Sequence, residues 1–488
     1  MNNKKKINKL VVNCKENNFG EWYREIITKG EMINYSDIGG CYILLSSSCS
    51  IWDNIKNYLN KEFKLRDVEN CYFPLFVTRD NLNKEQVHLE GFKAEVAWIK
   101  NEDKEGIVKE SIMAIRPTSE CIICPNISKQ IRSYKDLPKK INQYCNVVRW
   151  EFKETIPFIR SREFLWQEGH TYYANKDEAK AEVYDIINLY KTIYEKQLAV
   201  PVIMGLKTKG ETFAGAEYTY TIEGYIPEAN KGIQCATSHH LGQTFTKMFD
   251  IKYDNESMQT EYCYYNSWGF TTRSIGVMVQ THGDDKGLIF PPNIAPIHII
   301  IIPIYNKNNK DKILQFCINL KNELNKTYSV KLDLTENSPG YKHNYWELKG
   351  VPLRMEIGEK EIDNKIFTVA RRDSGDKIKI INLNEIELLL NQIQDNLYNR
   401  ALKKLLDSIN YIENEENIIC NKLILVNLCD NEECEKIMKD KYDIKALCIP
   451  EDEKINEIIK LQKSNNSNNS CILCGKVSKN ICLFGKSY

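Results

Sequence analysis

The stretch that decides the fold is Val147 to His170, VVRWEFKETIPFIRSREFLWQEGH. Its β-branched and aromatic residues predict one strand at VVRWEF and a second at EFLWQEGH, joined by a loop too long for a two-residue hairpin. Because alternate side chains of a strand share a face, Arg149 and Glu151 are predicted to point the same way. On the second strand the shared face is predicted to carry Arg162, Phe164, Trp166, Glu168 and His170.

The composition of that face is typical of a binding floor. A strand that is only half-buried separates its apolar residues from its charged ones, whereas this face mixes arginines, carboxylates, aromatic rings and a histidine. The alternative is a surface ion-pair network beside a few core aromatics. Both interpretations are compatible with this stretch taken alone.

The overall composition is that of an ordinary soluble globular protein. The 488 residues, 42% hydrophobic and 27% charged, predict about two to four domains. The net charge is +1, so any nucleic acid must be held by a local basic patch. The most apolar segment, Ile297 to Ile304, is far shorter than the ~18 residues that cross a bilayer, and the N-terminus lacks the apolar core of a secretory signal. We therefore expect no membrane partner and a cytoplasmic location, with the 17 cysteines mostly reduced.

The pattern of predicted elements divides the chain into three parts. Up to residue 290, strands with long helices between them predict an α+β catalytic domain with an antiparallel sheet. Pro291, Pro292 and Pro296 mark a boundary, after which alternating strands and helices predict a small α/β domain over 291–406. A third small α/β domain is predicted over 407–488, with a mobile loop at KSNNSNNS, residues 463–470.

Three further blocks accompany the opening stretch. They are RPTSE at Arg116–Glu120, QCATSHH at Gln234–His240 and GFTTR at Gly269–Arg273. Taken singly, the first is explained by a helix cap, with Thr118 or Ser119 as the capping residue, and the last by a turn before a helix. In this order and spacing they resemble the class II aminoacyl-tRNA synthetases, and most closely the prolyl-tRNA synthetases of the archaeal and eukaryotic type. The similarity covers nearly the whole chain and is specific in NVVRWEFK, REFLWQEGHT, TSHHLGQ and HGDDKGL.

The resemblance implies a fold and an activity. The fold is a class II synthetase-like catalytic domain, an α/β anticodon-binding domain and a small zinc-binding C-terminal domain. The activity is that of a proline–tRNA ligase, which converts ATP and L-proline to prolyl-adenylate and then transfers the prolyl group to tRNA(Pro). The family further implies Mg2+ with ATP, a structural Zn2+ and a homodimer.

The resemblance also assigns the nucleotide site. Arg149 and Arg273 are the catalytic arginines that hold phosphate oxygens and stabilise the charge of the transition state. The ATP-binding set is Arg149, Glu151, Arg160, Ser161, Phe164, Gln234, Thr237, Thr271 and Arg273, with Gln234 linked to magnesium. Two departures stand out: Cys235 replaces the glycine usual after Gln234, and Leu45–Ser50 replaces a usual Arg-Pro-aromatic segment.

The amino-acid pocket is transferred from the family in the same way. Its members are Thr118, Glu120, Arg149, Trp166, Glu168, His170 and His239. A secondary ammonium group requires carboxylate or carbonyl acceptors, and a flat apolar ring requires aromatic walls, both of which this set contains. For His170 and His239 the alternative is a buried histidine whose hydrogen bonds are satisfied by neighbours.

Two sets outside the catalytic domain complete the prediction. The resemblance makes Glu347, Lys349, Arg354 and Arg371 candidate anticodon readers, although surface ion pairs explain each of them singly. Cys429-x4-Cys434 and Cys471-x2-Cys474 supply four thiolates suited to tetrahedral zinc, and 17 cysteines also produce close pairs by chance.

Two rival functions remain at this stage. One is a catalytically silent paralogue that binds tRNA; it is expected to lose signature arginines, whereas Arg149, Arg160 and Arg273 are all present. The other is a ligase for threonine, glycine or histidine, which the combination of Glu120, Trp166 and His239 disfavours.

Overall fold

The structure is a computed structural model that describes residues 11, 13–88, 96–102, 106–150, 154–463 and 469–488. Of the predicted site residues, Glu151 lies outside these ranges. Residues 464–468 of the predicted mobile loop lie outside them as well.

The described residues form helices that we number α1 to α13 in chain order. They span Phe19–Lys29, Ser46–Lys64, Arg79–His88, Glu120–Ile127, Lys176–Thr192, Thr244–Met248, Arg273–His282, Lys310–Leu324, Pro339–Leu348, Glu359–Asn364, Glu385–Leu406, Glu432–Tyr442 and Glu453–Gln462. Strands β1 to β24 span Ile33–Tyr35, Tyr42–Leu44, Glu69–Asn70, Phe76–Thr78, Asn101–Glu102, Val108–Lys109, Met113–Ile115, Lys139–Val148, Glu163–Tyr173, Ile203–Leu206, Tyr218–Ile226, Lys231–His240, Lys252–Asp254, Thr260–Tyr262, Tyr264–Thr271, Ile299–Pro303, Val330–Leu332, Leu353–Ile357, Phe367–Arg371, Lys377–Ile380, Ile409–Ile412, Leu423–Leu428, Lys445–Pro450 and Asn480–Gly485.

Local sequence accounts for the starts of the principal helices. The side chain of Asn18 accepts from the backbone of Glu21 at the start of α1, and Asn175 accepts from Asp177 and Glu178 at the start of α5. Helix α5 has 17 residues and continues directly into a π-helical turn at Ile193–Gln197.

The opening stretch forms the two predicted strands with shifted ends. β8 begins at Lys139 and ends at Val148, so Arg149 lies one residue beyond it instead of inside it. The chain leaves the sheet there, although the Arg149 amide still donates to the Arg162 carbonyl at 2.8 Å. The guanidinium of Arg162 lies 4.6 Å from the centroid of the Trp150 ring and therefore outside the predicted shared face of β9.

A large sheet carries the catalytic part of the chain. Its central order is β10-β11-β12-β15-β9-β8, with antiparallel neighbours throughout, and β3 adds to β8 in parallel at one edge. Strand β15 ends at Thr271, and α7 begins two residues later at Arg273. Helices α5 and α7 both pack against this sheet, and its other face is left for the site described below.

The middle part of the chain has its own five-stranded sheet. Its order is β17-β16-β18-β19-β20, with β16, β17 and β18 parallel and the remaining pairs antiparallel. The core beneath it is apolar and includes Ile299, Ile301, Leu353 and Met355. Ion pairs join this part to the catalytic part, among them Arg372 with Asp284, Lys349 with Glu31 and Lys404 with Glu228.

The C-terminal elements, β21 to β24 with α12 and α13, form what we call the C-terminal unit. Its strands extend the catalytic sheet, because β23 pairs with β10 through Gly205↔Pro450 and Leu206↔Ile449. A Cβ on Gly205 would lie 2.2 Å from the Ile449 carbonyl oxygen, so glycine is required for this approach. In the described residues we find no helix long and apolar enough to cross a membrane.

Candidate active site

The register of the central strands brings distant sequence blocks into rows across one face of the sheet. His239 of β12 lies opposite Ser267 of β15, which lies opposite His170 of β9. The next row joins Thr237, Gly269 and Glu168 in the same way. The QCATSHH, GFTTR and REFLWQEGH blocks therefore form one continuous floor.

This floor lines a cavity of about 230 Å³. The predicted residues that line it are Thr118, Glu120, Arg149, Ser161, Phe164, Trp166, Glu168, His170, Gln234, Thr237, His239, Thr271 and Arg273. The other lining residues are Phe158, Ile159, Phe213, Cys235, Ala236, Ser267, Trp268 and Gly269. The binding floor predicted from the alternation of β9 is thus present, with Phe164, Trp166, Glu168 and His170 on it and Arg162 displaced.

The side chain of Arg149 is fixed by a backbone carbonyl and two aromatic rings of the cavity wall. Its Nε donates to the carbonyl oxygen of Pro117 at 3.0 Å. Its guanidinium carbon lies 5.6 Å from the Phe164 ring centroid and 5.4 Å from that of Trp166. Cation–π contacts at this distance fix the planar group without using all of its N–H donors.

Arg273 is the first residue of α7 and is fixed by backbone oxygens. Its Nε donates to the Ile159 carbonyl at 3.1 Å and its Nη1 to the Gln234 carbonyl at 3.0 Å. Burial, with a smaller contribution from the cations of Arg149 and Arg160, lowers the pKa of Arg273. Such a concentration of positive charge favours an anionic ligand.

Glu168 is buried under the cavity and already hydrogen-bonded. Its Oε1 accepts from the Ser119 hydroxyl at 2.5 Å and from Gln143 Nε2 at 2.6 Å. His170 Nε2 lies 3.2 Å from its Oε2. Burial acts to raise the pKa of Glu168, but the hydrogen bonds from His170, Ser119 and Gln143 outweigh it and the pKa is lowered. Glu168 therefore acts through its charge more than through a free oxygen.

The same contacts correct the predicted helix cap. Ser119 occupies the N-cap position of α4 but makes no capping hydrogen bond, because its hydroxyl is committed to Glu168. Thr118 does not cap the helix either, since its hydroxyl donates to Glu120. In the RPTSE block the two hydroxyl groups therefore bind carboxylates of the cavity and do not cap the helix.

His170 is oriented by Tyr265. The Tyr265 hydroxyl lies 2.5 Å from His170 Nδ1. Burial raises the pKa of Tyr265 well above its ordinary value, so the hydroxyl keeps its proton and donates it. Because a carboxylate only accepts, the Nε2 proton of His170 points to Glu168. Both ring nitrogens of His170 thus have hydrogen-bond partners within the protein, as in the alternative considered from the sequence. The residue also lies on the cavity wall.

His239 is a neutral member of the wall. Its Nδ1 lies 2.9 Å from the Thr219 hydroxyl and its Nε2 2.9 Å from the Thr237 hydroxyl. Burial, helped by the nearby charge of Lys207, lowers the pKa of His239 to about 3. The ring therefore carries no charge at neutral pH and contributes shape and hydrogen bonds.

Phe213 is one of the wall residues that the sequence analysis did not predict. Its ring centroid lies 4.7 Å from that of His239, and its backbone N–H donates to the Thr219 hydroxyl at 3.3 Å. It lies in an irregular segment before β11, close to Gly215, which has a φ of +84°. An aromatic residue in a glycine-containing loop is the feature of the sequence that could have indicated Phe213. The loop has no strand periodicity, so the sequence does not predict which way the side chain points.

Arg160 is the described ATP-site residue that does not line the cavity. Its backbone N–H donates to the Ile156 carbonyl at 2.8 Å, which closes the loop between β8 and β9. Its charge is close enough to lower the pKa of Arg273. Arg160 is therefore close to Arg273 without lining the cavity.

Cys235 lines the cavity but is only 4% exposed. Burial raises the pKa of its thiol to about 12. A thiol that remains protonated is a poor nucleophile, so Cys235 is expected to occupy space in the site without reacting readily with oxidants. The Leu45–Ser50 segment, which departs from the family's pattern, forms the start of α2: Leu45 is its N-cap residue and the helix begins at Ser46.

The four predicted zinc ligands converge in the C-terminal unit. The Sγ atoms of Cys429, Cys434, Cys471 and Cys474 all lie within 4.8 Å of one another. Cys429 lies 3.6 Å from both Cys434 and Cys474. Four converging sulfur donors fit a tetrahedral Zn2+ site, and chance pairing does not explain how the two cysteine pairs, separated by 36 residues of chain, meet at one point.

The four anticodon candidates lie on the middle part of the chain. Glu347, Arg354 and Arg371 line one shallow depression, together with Trp346 and Arg372. Within it Arg354 pairs with Glu347 at 3.5 Å, and Arg371 pairs with Asp373 at 2.8 Å. Lys349 instead pairs with Glu31 of the catalytic part at 2.8 Å. The structure thus gathers three of the four and directs the fourth to an interdomain contact.

Three family models match successive parts of the chain. Residues 103–282 match the class II tRNA synthetase core domain of the G, H, P, S and T enzymes. Residues 298–392 match an anticodon-binding domain, and residues 412–488 match the C-terminal domain of prolyl-tRNA synthetases. The fold expected from the sequence is therefore confirmed.

Individual relatives give the same result over the whole length. The chain is 44% identical to the cytoplasmic proline–tRNA ligase of Arabidopsis thaliana, covering 97% of this chain and 90% of that protein. It is 39% identical to the proline–tRNA ligase of Clostridium botulinum, strain Loch Maree, covering 97% of both. Among solved structures, the prolyl-tRNA synthetase of Cryptosporidium parvum in complex with halofuginone and AMPPNP matches with a TM-score of 0.90 and 40% identity, over 98% of this chain and 97% of that one.

These matches decide between the functions considered from the sequence. They lend no support to a catalytically silent tRNA-binding paralogue, and the relatives named are ligases for proline, not for threonine, glycine or histidine. With Arg149 and Arg273 at one cavity and the similarity extending over nearly the full chain, the chain belongs to the prolyl-tRNA synthetases, the class II ligases that join proline to tRNA(Pro).

Proposed function

We propose that the cavity holds ATP and L-proline side by side, with Arg149 reaching both. The observation that carries this assignment is the position of Arg149 between the Phe164 ring and the Trp166 ring, at 5.6 and 5.4 Å. Phe164 belongs to the nucleotide end and Trp166 to the amino-acid end. A guanidinium at the junction is suited to contact the α-phosphate and the attacking carboxylate together.

The nucleotide end binds adenine and phosphates. Phe164 stacks on the base and Glu151 accepts from its amino group, while Arg273 and Arg160 contact the distal phosphates. The hydroxyl and amide groups of the remaining members position the ribose and phosphates: Ser161, Gln234, Thr237 and Thr271. Mg2+ held at Gln234 would compensate phosphate charge, and the donor set of oxygen atoms with neighbouring phosphates fits that ion.

The amino-acid end binds the proline ring and its ammonium group. Glu120 and Thr118 accept from the secondary ammonium, Trp166 packs on the ring, and His239 closes the far wall as a neutral group. Glu168 adds negative charge from below, while His170 holds that carboxylate in place. Two carboxylates near one cation favour the ammonium form of the substrate.

The reaction requires positioning more than proton transfer. The proline carboxylate attacks the α-phosphorus, the bond to the bridging oxygen breaks, and pyrophosphate leaves with the electron pair. The terminal ribose hydroxyl of tRNA then attacks the carbonyl of prolyl-adenylate and releases AMP. The carboxylate is already an anion, so the first step needs no general base, and the arginines lower the barrier by stabilising charge on the phosphorus centre.

Other parts of the chain are assigned from the family and from what surrounds them. The domain bounds that we propose are 1–290, 291–406 and 407–488. The four clustered thiols hold one structural Zn2+, and Glu347, Arg354 and Arg371 read the anticodon from their shared depression, with Lys349 beside them. A homodimer and a cytoplasmic location complete the assignment, the dimer being testable by light scattering after size exclusion.

The decisive experiment is pyrophosphate–ATP exchange with a panel of amino acids. Proline is expected to support exchange far better than threonine, glycine or histidine. Exchange driven equally by another member of the panel, or no exchange with proline, would contradict the assignment of the cavity.

A further inference from the structure

The segment 207–211, which follows β10, is held by the C-terminal unit through two side-chain contacts. The hydroxyl of Thr208 donates to Glu435 Oε1 at 2.8 Å. The Nζ atom of Lys445 lies 2.5 Å from Glu211 Oε2. Both partners are on the C-terminal unit, Glu435 on α12 and Lys445 on β23, so this segment is fixed from two elements at once.

A third contact fixes the start of the same segment. The side chain of Lys207 is 6% exposed, and its Nζ donates to the Leu447 carbonyl of β23 at 2.8 Å and to Glu223 of β11 at 2.8 Å. The segment is thus attached to β23 at the point where that strand has paired with β10. Removal of the Lys207 ammonium group would leave the buried Glu223 carboxylate without its cation, which would lower the free energy of unfolding.

The segment leads directly into the wall of the amino-acid pocket. Thr212 donates to the Thr208 carbonyl at 2.8 Å, which closes a tight turn. Phe213 comes next, and its ring lies 4.7 Å from that of His239. Its backbone N–H donates to Thr219, the hydroxyl that also contacts His239 Nδ1. The position of Phe213 therefore depends on how the preceding residues are anchored.

We propose that the C-terminal unit positions the Phe213 wall of the proline pocket, with Glu435 and Lys445 as positioning residues for the amino acid. Neither residue lines the cavity, so each acts through the segment 207–211. The C-terminal unit then has a role in substrate binding in addition to any role of its thiol cluster. This inference rests on the assignment of the cavity as the proline and ATP site.

The position of α12 strengthens the anchor. Glu435 directly follows Cys434, one of the four clustered thiols, and a Cβ on Gly210 would lie 3.1 Å from Glu435 Oε2. The carboxylate is therefore packed against the turn as well as hydrogen-bonded to it. The floor of the nucleotide end is held separately, because Arg149 and Arg273 are anchored by Pro117, Ile159 and Gln234. Loss of the anchor should then affect proline more than ATP.

The test separates these two substrates. For Lys445→Ala we expect the KM of proline in the exchange assay to rise about threefold, and for the Thr208→Val/Lys445→Ala double variant about tenfold, with the KM of ATP changed less than about twofold. The charge-exchanged variant Glu211→Lys/Lys445→Glu restores the ion pair and is expected to bring the KM of proline back to within about twofold of the parent. The rise in thermal midpoint that saturating proline produces should shrink in the same variants, which supplies a readout apart from catalysis.

The matched control is an ion pair of the same unit that makes no contact with the catalytic part among the residues that the structure describes. Lys441 pairs with Glu415 at 2.7 Å on the exposed surface. Lys441→Ala should leave both KM values unchanged. An unchanged KM of proline in the double variant, an equal rise for proline and ATP, or a charge-exchanged variant as weak as Lys445→Ala would overturn the proposal. Thr208→Val lies on the catalytic side and remains informative if a variant of the C-terminal unit does not fold.

The parent protein and Arg149→Ala are measured in the same series. A parent without proline-dependent exchange would overturn the assigned function itself. A parent that is active beside anchor variants that behave like it would overturn only the positioning role.

Discussion

The guanidinium of Arg149 lies 5.4 Å from the ring centroid of Trp166, and the two residues come from opposite sides of the loop that joins β8 and β9. Trp166 is in turn fixed by its Nε1, which donates to Cys145 Sγ of β8 at 3.1 Å. The arginine, the aromatic wall and the thiol thus form a continuous support between the adjacent strands. This support orients the arginine before any substrate binds.

The first prediction concerns that arginine. Arg149→Ala should lower proline-dependent exchange by on the order of 3 kcal/mol, about 10²-fold, because the transition state loses its principal cation. The thermal midpoint should change little, since the side chain lines a cavity. Arg162→Ala is the control, because Arg162 contacts the Gly39 carbonyl and Trp150 outside the cavity. Exchange within about tenfold of the parent would contradict the role of Arg149.

The second prediction concerns the thiol cluster. Protein purified without chelator should contain one zinc ion per chain, and Cys471→Ser should lose it, because four sulfur donors are needed to close a structural site. Backbone N–H groups around Cys471 outweigh its burial and lower the pKa of its thiol to about 7, which favours the thiolate that a metal binds. Elemental analysis measures the metal, with Cys420→Ser as the control outside the cluster. Full metal content in Cys471→Ser would require another ligand set.

The third prediction concerns Cys235. Its burial and its pKa of about 12 predict slow alkylation at neutral pH, with or without ATP. Cys49 is exposed and serves as the internal control in the same peptide map. Rapid labelling of Cys235 that ATP suppresses would show that the thiol is open to the nucleotide site after all.

The fourth prediction follows from His282, which is buried and donates from Nε2 to the Leu198 carbonyl at 2.9 Å. Burial lowers its pKa from 6.5 to about 3 in the folded state. The unfolded chain binds the proton first, so this group's contribution to stability is complete above pH 6.5 and is lost progressively as the pH falls towards 3. At pH 5 the loss from this group is about 2 kcal/mol.

His282→Gln removes that titration and keeps a hydrogen-bond donor. We expect it to lower the thermal midpoint at pH 7 and to reduce the further drop between pH 7 and pH 5. His239, whose pKa is also lowered to about 3, still contributes to the drop that remains. An identical drop in parent and variant would contradict the assignment to His282.

The fifth prediction concerns accuracy. A pocket built for proline does not exclude alanine sterically, and the missing apolar contacts are worth only about 1–3 kcal/mol. Between β9 and β12 the chain forms α5 with its π-helical turn, β10, the Phe213 segment and β11, and all of these belong to the catalytic part. We expect detectable activation of alanine and no clearance of alanyl-tRNA(Pro). Deacylation well above the spontaneous rate, by this chain alone, would reveal an additional hydrolytic site.

The amino-acid sequence by itself determined which residues of β9 lie on the floor of the cavity. The alternation along β9 assigned Phe164, Trp166, Glu168 and His170 to one face, because a strand's side-chain period of two is a local property. The spacing of the paired cysteines likewise indicated the thiol cluster before the fold was known. The match to signature blocks supplied the roles of the arginines, which periodicity alone does not assign.

Only the tertiary structure decided how those residues are used. Ser119 donates its hydroxyl to Glu168 and does not cap α4. Phe213 lies beside His239 on the cavity wall, although it belongs to an irregular segment. Strand β23 joins the catalytic sheet by pairing with β10 at Gly205. Each of these depends on the register of strands that are far apart in the chain. Local sequence sets the direction of a side chain within its own element, but its partner is chosen by the packing of other elements against it.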